Sequence, residues 1–444
     1  MKKLFFLIVA IFFPLFVTIG QTTIPNHRWF DEARFGMFIH FGPYAVLADG
    51  EWIMNQKPYK VDDYMKLQQI FNPSCFDADA WVSLAKAAGM KYIVFTSRHH
   101  DGFSNWDTKL SDWNIMNTPY AKDLISQLAE ACRKQEMKLG FYYSLLDWSR
   151  NDYAYETGRT GKNVGRTVQG NWNDYIEFMK GQLTELLTNY GDVSLIWFDG
   201  EWDQMPHNAS SHEESAVDWH FSEIYELIHA LQPNCMIANN HHLDPLPGED
   251  YQAFERDLPG RNTAGYSEHA TVSKLLPLET CQTINGSWGY KLQDNRYKSL
   301  TELIHYLISA AGYGSNLLLN VGPESTGRID SLSSELLCGM GEWLNRFGYT
   351  IYGTSGGHIP PQSWGAITRK DQTYYIHILE KESDKLSIFF PGNIISARWV
   401  NVEEKLRWSR DEKTGIVTFF LDVPLDEIDS IIELSSNNLI QNIK

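Results

Sequence analysis

The chain has 444 residues, 43% of them hydrophobic and 14% aromatic, enough for one large globular domain with a smaller second one. With 55 acidic against 38 basic residues its formal charge is −17, which excludes the basic footprint that nucleic acid and anionic membranes demand. Five cysteines (Cys75, Cys132, Cys235, Cys281 and Cys338) are scattered without metal-ligand spacing, leaving one or two disulfides, or buried free thiols, as the alternatives.

In chain order, "MKKLFFLIVAIFFPLFVTIGQ" comes first and has a signal-peptide layout. Lys2 and Lys3 precede an apolar run from Leu4 to Ile19, and Thr18 and Gly20 are small residues before Gln21. The run falls short of the roughly 20 residues of a spanning helix, and Pro14 interrupts it. No cysteine follows for a lipid anchor, and no later segment has spanning character. The expectation is an exported chain, periplasmic or secreted, without a membrane anchor. Losing residues 1–20 removes two lysines and no acid, so the mature chain is more acidic still.

Strand-like apolar runs follow at 35–42, 91–98, 139–148, 194–199, 235–241 and 316–323, with helical patterns near 78–89, 121–138, 172–190, 216–232, 299–312 and 331–347 between and after them. This alternation predicts βαβ units around a buried parallel sheet. Over some 320 residues it fits an α/β fold of (β/α)8-like barrel type, irregular across the poorly patterned 250–295, which must supply the remaining strands. Near 350 the character changes: "YGTSGGHIPPQSWG" reads as a connection. The alternating segments beyond it predict a C-terminal antiparallel β-sandwich. The expected division is 1–20 signal peptide, 21–350 catalytic barrel and 351–444 sandwich.

Polar residues collect where the predicted strands end: His40; Arg98, His99, His100 and Asp101; Tyr142, Tyr143 and Asp147; Asp199; and Asn239 to His242. In a β/α barrel those ends converge on one face, where such enzymes keep their catalytic groups. A metal site is the weaker reading. Adjacent His99 and His100 on an extended segment point to opposite sides, and neither His-x-His nor HExxH occurs. No metal and no cofactor are expected. Neutral His among Trp and Tyr suits a sugar, whose hydroxyls need hydrogen bonds and whose C–H face stacks on rings.

Sugar hydrolysis needs two carboxyl groups, one attacking or activating and the other delivering a proton. Asp199, at the tip of "SLIWFD", suits a nucleophile held rigidly, while Glu201 and Asp203 read as supporting loop groups. The acid is expected on a later loop, with Glu255, Glu268 and Glu279 as candidates.

These residues carry a resemblance. "RWFDEARFGMFIHFGPYAV", "GEW", "KYIVFTSRHHDGFSNWDTKLSDWN", "GFYYSLLDW", "LIWFDGEW", "ETCQTINGSWGY" and "GYGSNLLLNVGPESTGRI" resemble, in order and over about 27–345, the α-L-fucosidases of glycoside hydrolase family 29. The tail resembles that family's C-terminal β-sandwich. The resemblance implies an exo-acting, retaining hydrolase of terminal α-L-fucose on oligosaccharides or glycoconjugates, working without a metal. It implies Asp199 as nucleophile, with His40, Glu51, Trp52, His99, His100, Tyr143 and Trp288 around the fucose. The acid/base is the family's least uniform element. "DYQAFER" keeps the Asp-Tyr and Glu of a "DYxTPE"-like stretch but has Ala-Phe for Thr-Pro, which points to Glu255, with Glu279 as the alternative. A "GNE"-like motif of the narrower, α-1,3/1,4-directed branch is not found, which leans toward the broader branch. Two other readings stand beside this one: a catalytically silent fucose-binding protein on the same scaffold, and a hydrolase of a related sugar such as a β-galactoside.

Overall fold

The structure is a computed structural model and describes residues 28–437, so the expected signal segment 1–20 lies outside the described residues. Eight parallel strands form one sheet: β1 (Phe35–Ile39), β2 (Tyr92–Arg98), β3 (Lys138–Ser144), β4 (Leu195–Asp199), β5 (Met236–Asn240), β6 (Gln252–Glu255), β7 (Leu278–Thr283) and β8 (Ser315–Val321). The six apolar runs are β1 to β5 and β8, and the two missing strands come from 250–295 as required. Helices Ala78–Ala87, Leu124–Lys134, Trp172–Asn189, Phe221–Leu231, Leu300–Gly312 and Ser331–Phe347 match the six helical patterns. Five of the six starts are set by side-chain caps: Asp77, Asp123, Asn171, Ser299 and Asp330 each accept from a first-turn N–H.

The order β5-β4-β3-β2-β1-β8-β7-β6 leaves β5 and β6 as end strands. They are joined without a regular ladder. Asp250 N–H and Tyr251 N–H donate to the Ile237 carbonyl at 2.7 and 3.4 Å. The Asp250 carboxylate accepts from Ile237 N–H at 2.9 Å and meets His229 Nε2 at 2.9 Å. A side chain thus joins two backbone bonds in closing the barrel where no regular ladder forms. Among the described residues no helix lies between β5 and β6 or between β6 and β7.

Strand alternation splits the core in two. Phe38, Tyr92, Val94, Tyr142, Leu195, Trp197, Met236, Ala238, Cys281 and Leu318 fill the barrel interior as one cluster. Their neighbours, including Ile39, Phe95, Phe141, Tyr143, Ile196, Phe198, Ile237 and Leu319, face outward into the cluster shared with the helices. Outside the barrel the fully buried Arg98 pairs with Asp147, and it also donates to Tyr143 OH at 2.9 Å and Tyr175 OH at 3.1 Å.

Beyond the last helix come β9 (Ser355–Gly356), β10 (Gly365–Lys370), β11 (Thr373–Ile378), β12 (Lys385–Phe389), β13 (Ile394–Trp399), β14 (Arg407–Asp411), β15 (Ile416–Phe420) and β16 (Ser430–Ser436). They form a five-stranded sheet, β13-β16-β11-β10-β9, and a three-stranded one, β12-β15-β14. The paired strands are antiparallel. Ile376, Ile388, Val417, Phe419, Ile432 and Leu434 make the core between the sheets. Ala366, Tyr375 and Ile431 pack instead into the barrel's helical layer. All five cysteines are free, and among the described residues no helix is long and apolar enough to cross a membrane.

Candidate active site

The inward register that fills the barrel continues to the strand tips and changes chemistry there. Phe38 is followed two residues on by His40, Trp197 by Asp199, Ala238 by Asn240, Ala253 by Glu255 and Leu318 by Asn320. These tips open into a cavity of about 620 Å³ with Phe38, Tyr142 and Trp197 in its wall, within the usual range for small-molecule sites. Gly200 turns the chain away after Asp199 at φ +105°, where a Cβ would meet the Leu146 backbone nitrogen at 2.8 Å. Only glycine fits there without strain.

Asp199 is held from three sides. Trp202 Nε1 donates to Oδ1 at 2.9 Å and Tyr142 OH donates to Oδ2 at 2.9 Å, while Asn240 Nδ2 reaches Oδ1 at 3.4 Å. Burial raises its pKa and these donors oppose the rise. The same Asn240 nitrogen donates to Glu255 Oε2 at 2.9 Å. The nearest oxygens of the two carboxyl groups are therefore no farther apart than those two lengths combined. That upper limit falls just below the roughly 6.5–9.5 Å of an inverting pair, and the roughly 5–5.5 Å of a retaining pair lies within it. Burial first, and the Asp199 charge second, push the Glu255 pKa up to about 7. Such a pair can divide attack and proton delivery between its members.

The other wall holds neutral hydrogen-bonding groups. Asn320 Nδ2 donates to the Trp288 carbonyl at 2.7 Å, so Asn320 Oδ1 accepts from His40 Nδ1 at 2.7 Å and His40 Nε2 is left as an acceptor. Ser144 Oγ gives its proton to the Leu146 carbonyl at 2.6 Å and accepts from His100 Nδ1 at 2.7 Å, with the same result for His100 Nε2. Burial lowers the pKa of both rings to about 3. The 3.5 Å approach of His100 to Asp199 is therefore not an ion pair. Glu51, buried, accepts from Gly289 N–H at 2.8 Å, and Trp52 stacks on Trp202 with centroids 5.7 Å apart. His99 Nδ1 and Asn240 Oδ1 are buried polar atoms without a protein partner, and both residues line the cavity. Arg256 lies over the Trp288 ring at 4.9 Å. Among the described residues no group of three or more His, Cys, Asp or Glu could hold a metal ion.

His40, Glu51, Trp52, His99, His100, Trp288, Asp199 and Glu255 thus share one cavity. Three expectations need correction. Tyr143 does not face it: its hydroxyl lies outside the barrel, accepting from Arg98 at 2.9 Å and donating to Gln182 at 2.8 Å. Its neighbour Tyr142 holds the inward position, because successive residues of a strand face opposite ways. His99 and His100 do not diverge. β2 breaks register between Thr96 and Arg98 and ends, and the two rings lie side by side 4.2 Å apart. The acid candidates are not loop residues of equal standing either. Glu255 is the last residue of β6, whereas Glu279 is the second of β7, deep in the barrel, bound by Tyr92 OH at 2.5 Å and Trp197 Nε1 at 3.1 Å. Glu268 is exposed at the cavity mouth. Trp202 is missed by the sequence reading, which places Tyr142 and Asn240 at the strand ends without a role; strand parity and adjacency to Asp199 are the signals for all three. Glu201 and Asp203 support from the side: Glu201 accepts from Asn239 at 3.0 Å, and Asp203 from Tyr153 OH at 2.6 Å.

Comparison with known proteins agrees with this geometry. Residues 19–349 match the family model described as Alpha-L-fucosidase. An α-L-fucosidase of Dictyostelium discoideum is 28% identical over 407 residues, 84% of this chain and 82% of that protein. The structure of α-L-fucosidase isoenzyme 1 from Paenibacillus thiaminolyticus superposes with a TM-score of 0.79 at 33% identity, covering 93% of this chain and 99% of that one. A family 29 α-L-fucosidase from Bacteroides thetaiotaomicron superposes with a TM-score of 0.78 at 26% identity, covering 93% and 96%. That enzyme was trapped as a covalent intermediate with 2-fluoro-fucosyl fluoride in a Glu-to-Gln mutant. With the barrel, the sandwich and the carboxyl pair in place, the chain belongs to the α-L-fucosidases of glycoside hydrolase family 29.

Proposed function

We propose that the protein is a retaining, exo-acting α-L-fucosidase that removes terminal α-L-fucose from oligosaccharides or glycoconjugates. The observation that carries this is the single Asn240 amide shared by Asp199 and Glu255 at 3.4 and 2.9 Å. In the first step a carboxylate oxygen of Asp199 attacks the anomeric carbon. The glycosidic C–O bond breaks and Glu255 gives its proton to the departing oxygen. In the second step Glu255, now ionised, takes a proton from water as that water attacks the same carbon and frees Asp199. Two inversions leave net retention.

His40, Glu51, Trp52, His99 and His100 take the fucose hydroxyls and the sugar's apolar face, with Trp288 flanking. The neutral imidazoles suit this because a charged ring would compete for the carboxylates. The silent-binder reading rested on the altered "DYQAFER" stretch, and with Glu255 beside Asp199 nothing favours it. We further assign residues 1–20 to export, toward the periplasm or the exterior, 21–350 to the catalytic domain and 351–444 to the sandwich.

The test is covalent trapping with 2-fluoro-α-L-fucosyl fluoride followed by peptide mass mapping. A fucosyl adduct on the Asp199 peptide, together with an α-configured product by NMR, is the expected result. An adduct elsewhere, or a β-configured first product, overturns the assignment.

A further inference from the structure

The cavity has two unlike halves. One is built by the ends of β1, β2 and the segment after β7, and it carries His40, Glu51, Trp52, His99, His100 and Trp288. The other is built by the loops that follow β3, β4, β5 and β6, which contribute Arg159, His207, His242 and Tyr266. Glu255 stands between them, with His242 Nε2 3.8 Å from its Oε2. Since the acid must sit beside the bond being broken, the loop half faces the group that leaves with the glycosidic oxygen.

Two features of this half point to the chemistry of that group. The His242 ring stacks on Tyr266 with centroids 5.1 Å apart and planes 24° from parallel, and Tyr266 is 44% exposed. An open aromatic face next to the acid suits the C–H face of a second sugar ring. Arg159 supplies the other feature. Its guanidinium lies 5.5 Å from the Trp202 ring, donates to the Trp202 carbonyl at 3.1 Å and donates to His207 Nδ1 at 2.8 Å. Because His207 Nδ1 accepts, the proton of its neutral ring is on Nε2, a second donor. Both acceptors of Arg159 are uncharged, as are the carbonyls that Arg34 and Arg166 meet, but of these three arginines Arg159 is the one that lines the cavity. The nearby Asp203 is engaged by Tyr153 and Thr160. Glu268, exposed on the Tyr266 loop, is a further charged group lining the cavity, with His269 beside it, and Arg256 is a second cation there, held over Trp288 on the opposite side. Arg159 is close enough to His242 that its charge helps depress that ring's pKa.

We propose that the loops after β3 to β6 form an acceptor subsite for a pyranose bearing an anionic substituent. The ring lies on the His242–Tyr266 face and the anion meets Arg159 and the Nε2–H of His207. This rests on the fucosidase reading. A carboxylate and a sulfate ester share the required chemistry, so both enter the test.

The experiment measures kcat/KM for fucosyl-galactose disaccharides of each linkage, their galactose-sulfated forms and their galacturonic acid counterparts. α-L-Fucosyl fluoride, whose leaving group does not enter the subsite, serves as reference. At least one anionic form is expected to exceed its neutral parent by roughly threefold to fivefold at low salt, the range for an exposed ion pair. The preference should shrink as ionic strength rises. Arg159→Gln should abolish the preference. Tyr266→Ala should lower kcat/KM on every disaccharide relative to the fluoride, through KM. Equal rates on neutral and anionic disaccharides, or a preference that survives Arg159→Gln, overturns the subsite while turnover of the fluoride leaves the fucosidase reading standing. No turnover of the fluoride by the unmodified enzyme sinks both.

Discussion

The two faces of the same barrel strands are built to different rules. Facing outward, Ile39, Phe141, Ile196, Phe198 and Ile237 pack into the helical layer. Facing inward, Phe38, Tyr142, Trp197 and the smaller Ala238 and Ala253 fill the middle of the barrel, and His40, Asp199, Asn240 and Glu255 stand at or just past the ends of their strands. A one-residue step along a strand therefore moves a side chain from a role in stability to a role in chemistry.

Substitutions can break that contrast, and Asp199→Ala should have the largest effect. A loss of roughly 10⁴-fold or more in kcat/KM is expected, the range seen when a nucleophile is removed. Added azide should restore turnover of an aryl fucoside. Wild-type turnover by a folded variant would remove Asp199 from the mechanism.

Glu255→Gln comes next, at roughly 10²–10⁴-fold on natural glycans, as for lost general acid catalysis. The loss on α-L-fucosyl fluoride should be much smaller, because fluoride leaves without a proton. The pH profile follows from the same pair. With the Glu255 pKa near 7, kcat/KM should fall as pH rises past about 7 and the acid ionises. The acid limb should lie above the ordinary Asp value of 3.8, since burial raises Asp199. A basic limb unchanged in Glu255→Gln would assign it to another group.

Tyr142→Phe and Tyr143→Phe set the two faces side by side. Tyr142 donates to the nucleophile at 2.9 Å, and a hydrogen bond to a charged group contributes about 1.5–3 kcal/mol, roughly 10- to 100-fold in rate. Its loss should also move the acid limb upward, because that bond lowers the Asp199 pKa. Tyr143→Phe should instead cost about 1–3 kcal/mol of stability by stranding buried partners. Its kcat/KM should stay near wild type. Thermal melts and kinetics on the pair of variants test both statements, and a rate loss in Tyr143→Phe larger than in Tyr142→Phe would reverse the assignment.

Glu279→Gln is expected to act least on rate. Burial raises the Glu279 pKa to about 8 against an ordinary 4.5. The folded state thus holds a proton that the unfolded chain releases, and native stability falls as pH rises from about 4.5 toward 8. The neutral amide lacks that slope, so the variant's melting temperature relative to wild type should climb across this window. A flat difference would mean that Glu279 is ionised in the barrel.

Much of this was legible before any coordinates. Asp199 stood out because an apolar run ended on a carboxylate with glycine behind it. The six main strands were visible because both faces are buried, which makes each an unbroken apolar run. What stayed hidden has physical reasons. β6 is only four residues, "QAFE", between two irregular connections, so its register and its terminal Glu255 carry almost no periodic signal. Glu255 and Glu279 both lie on inward registers, at opposite ends of neighbouring strands, and only the pairing of β6 with β7 separates them. Tyr142 and Tyr143 differ in facing but not in residue type. The adjacent histidines escape the alternation rule because the break in β2 ends it at Arg98.

The closure of the barrel through Asp250 has a consequence for stereochemistry. Asp199 and Asn240 are ladder partners on β4 and β5, so their spacing is fixed by backbone geometry. Glu255 rides on β6, across the joint that a carboxylate spans in place of a regular ladder. That joint works as the gauge between the two carboxyl groups proposed as catalytic. Opened by the width of one water molecule, it would bring the pair into the separation of an inverting enzyme, and the anomeric outcome of the reaction would change hand without either carboxyl residue being replaced.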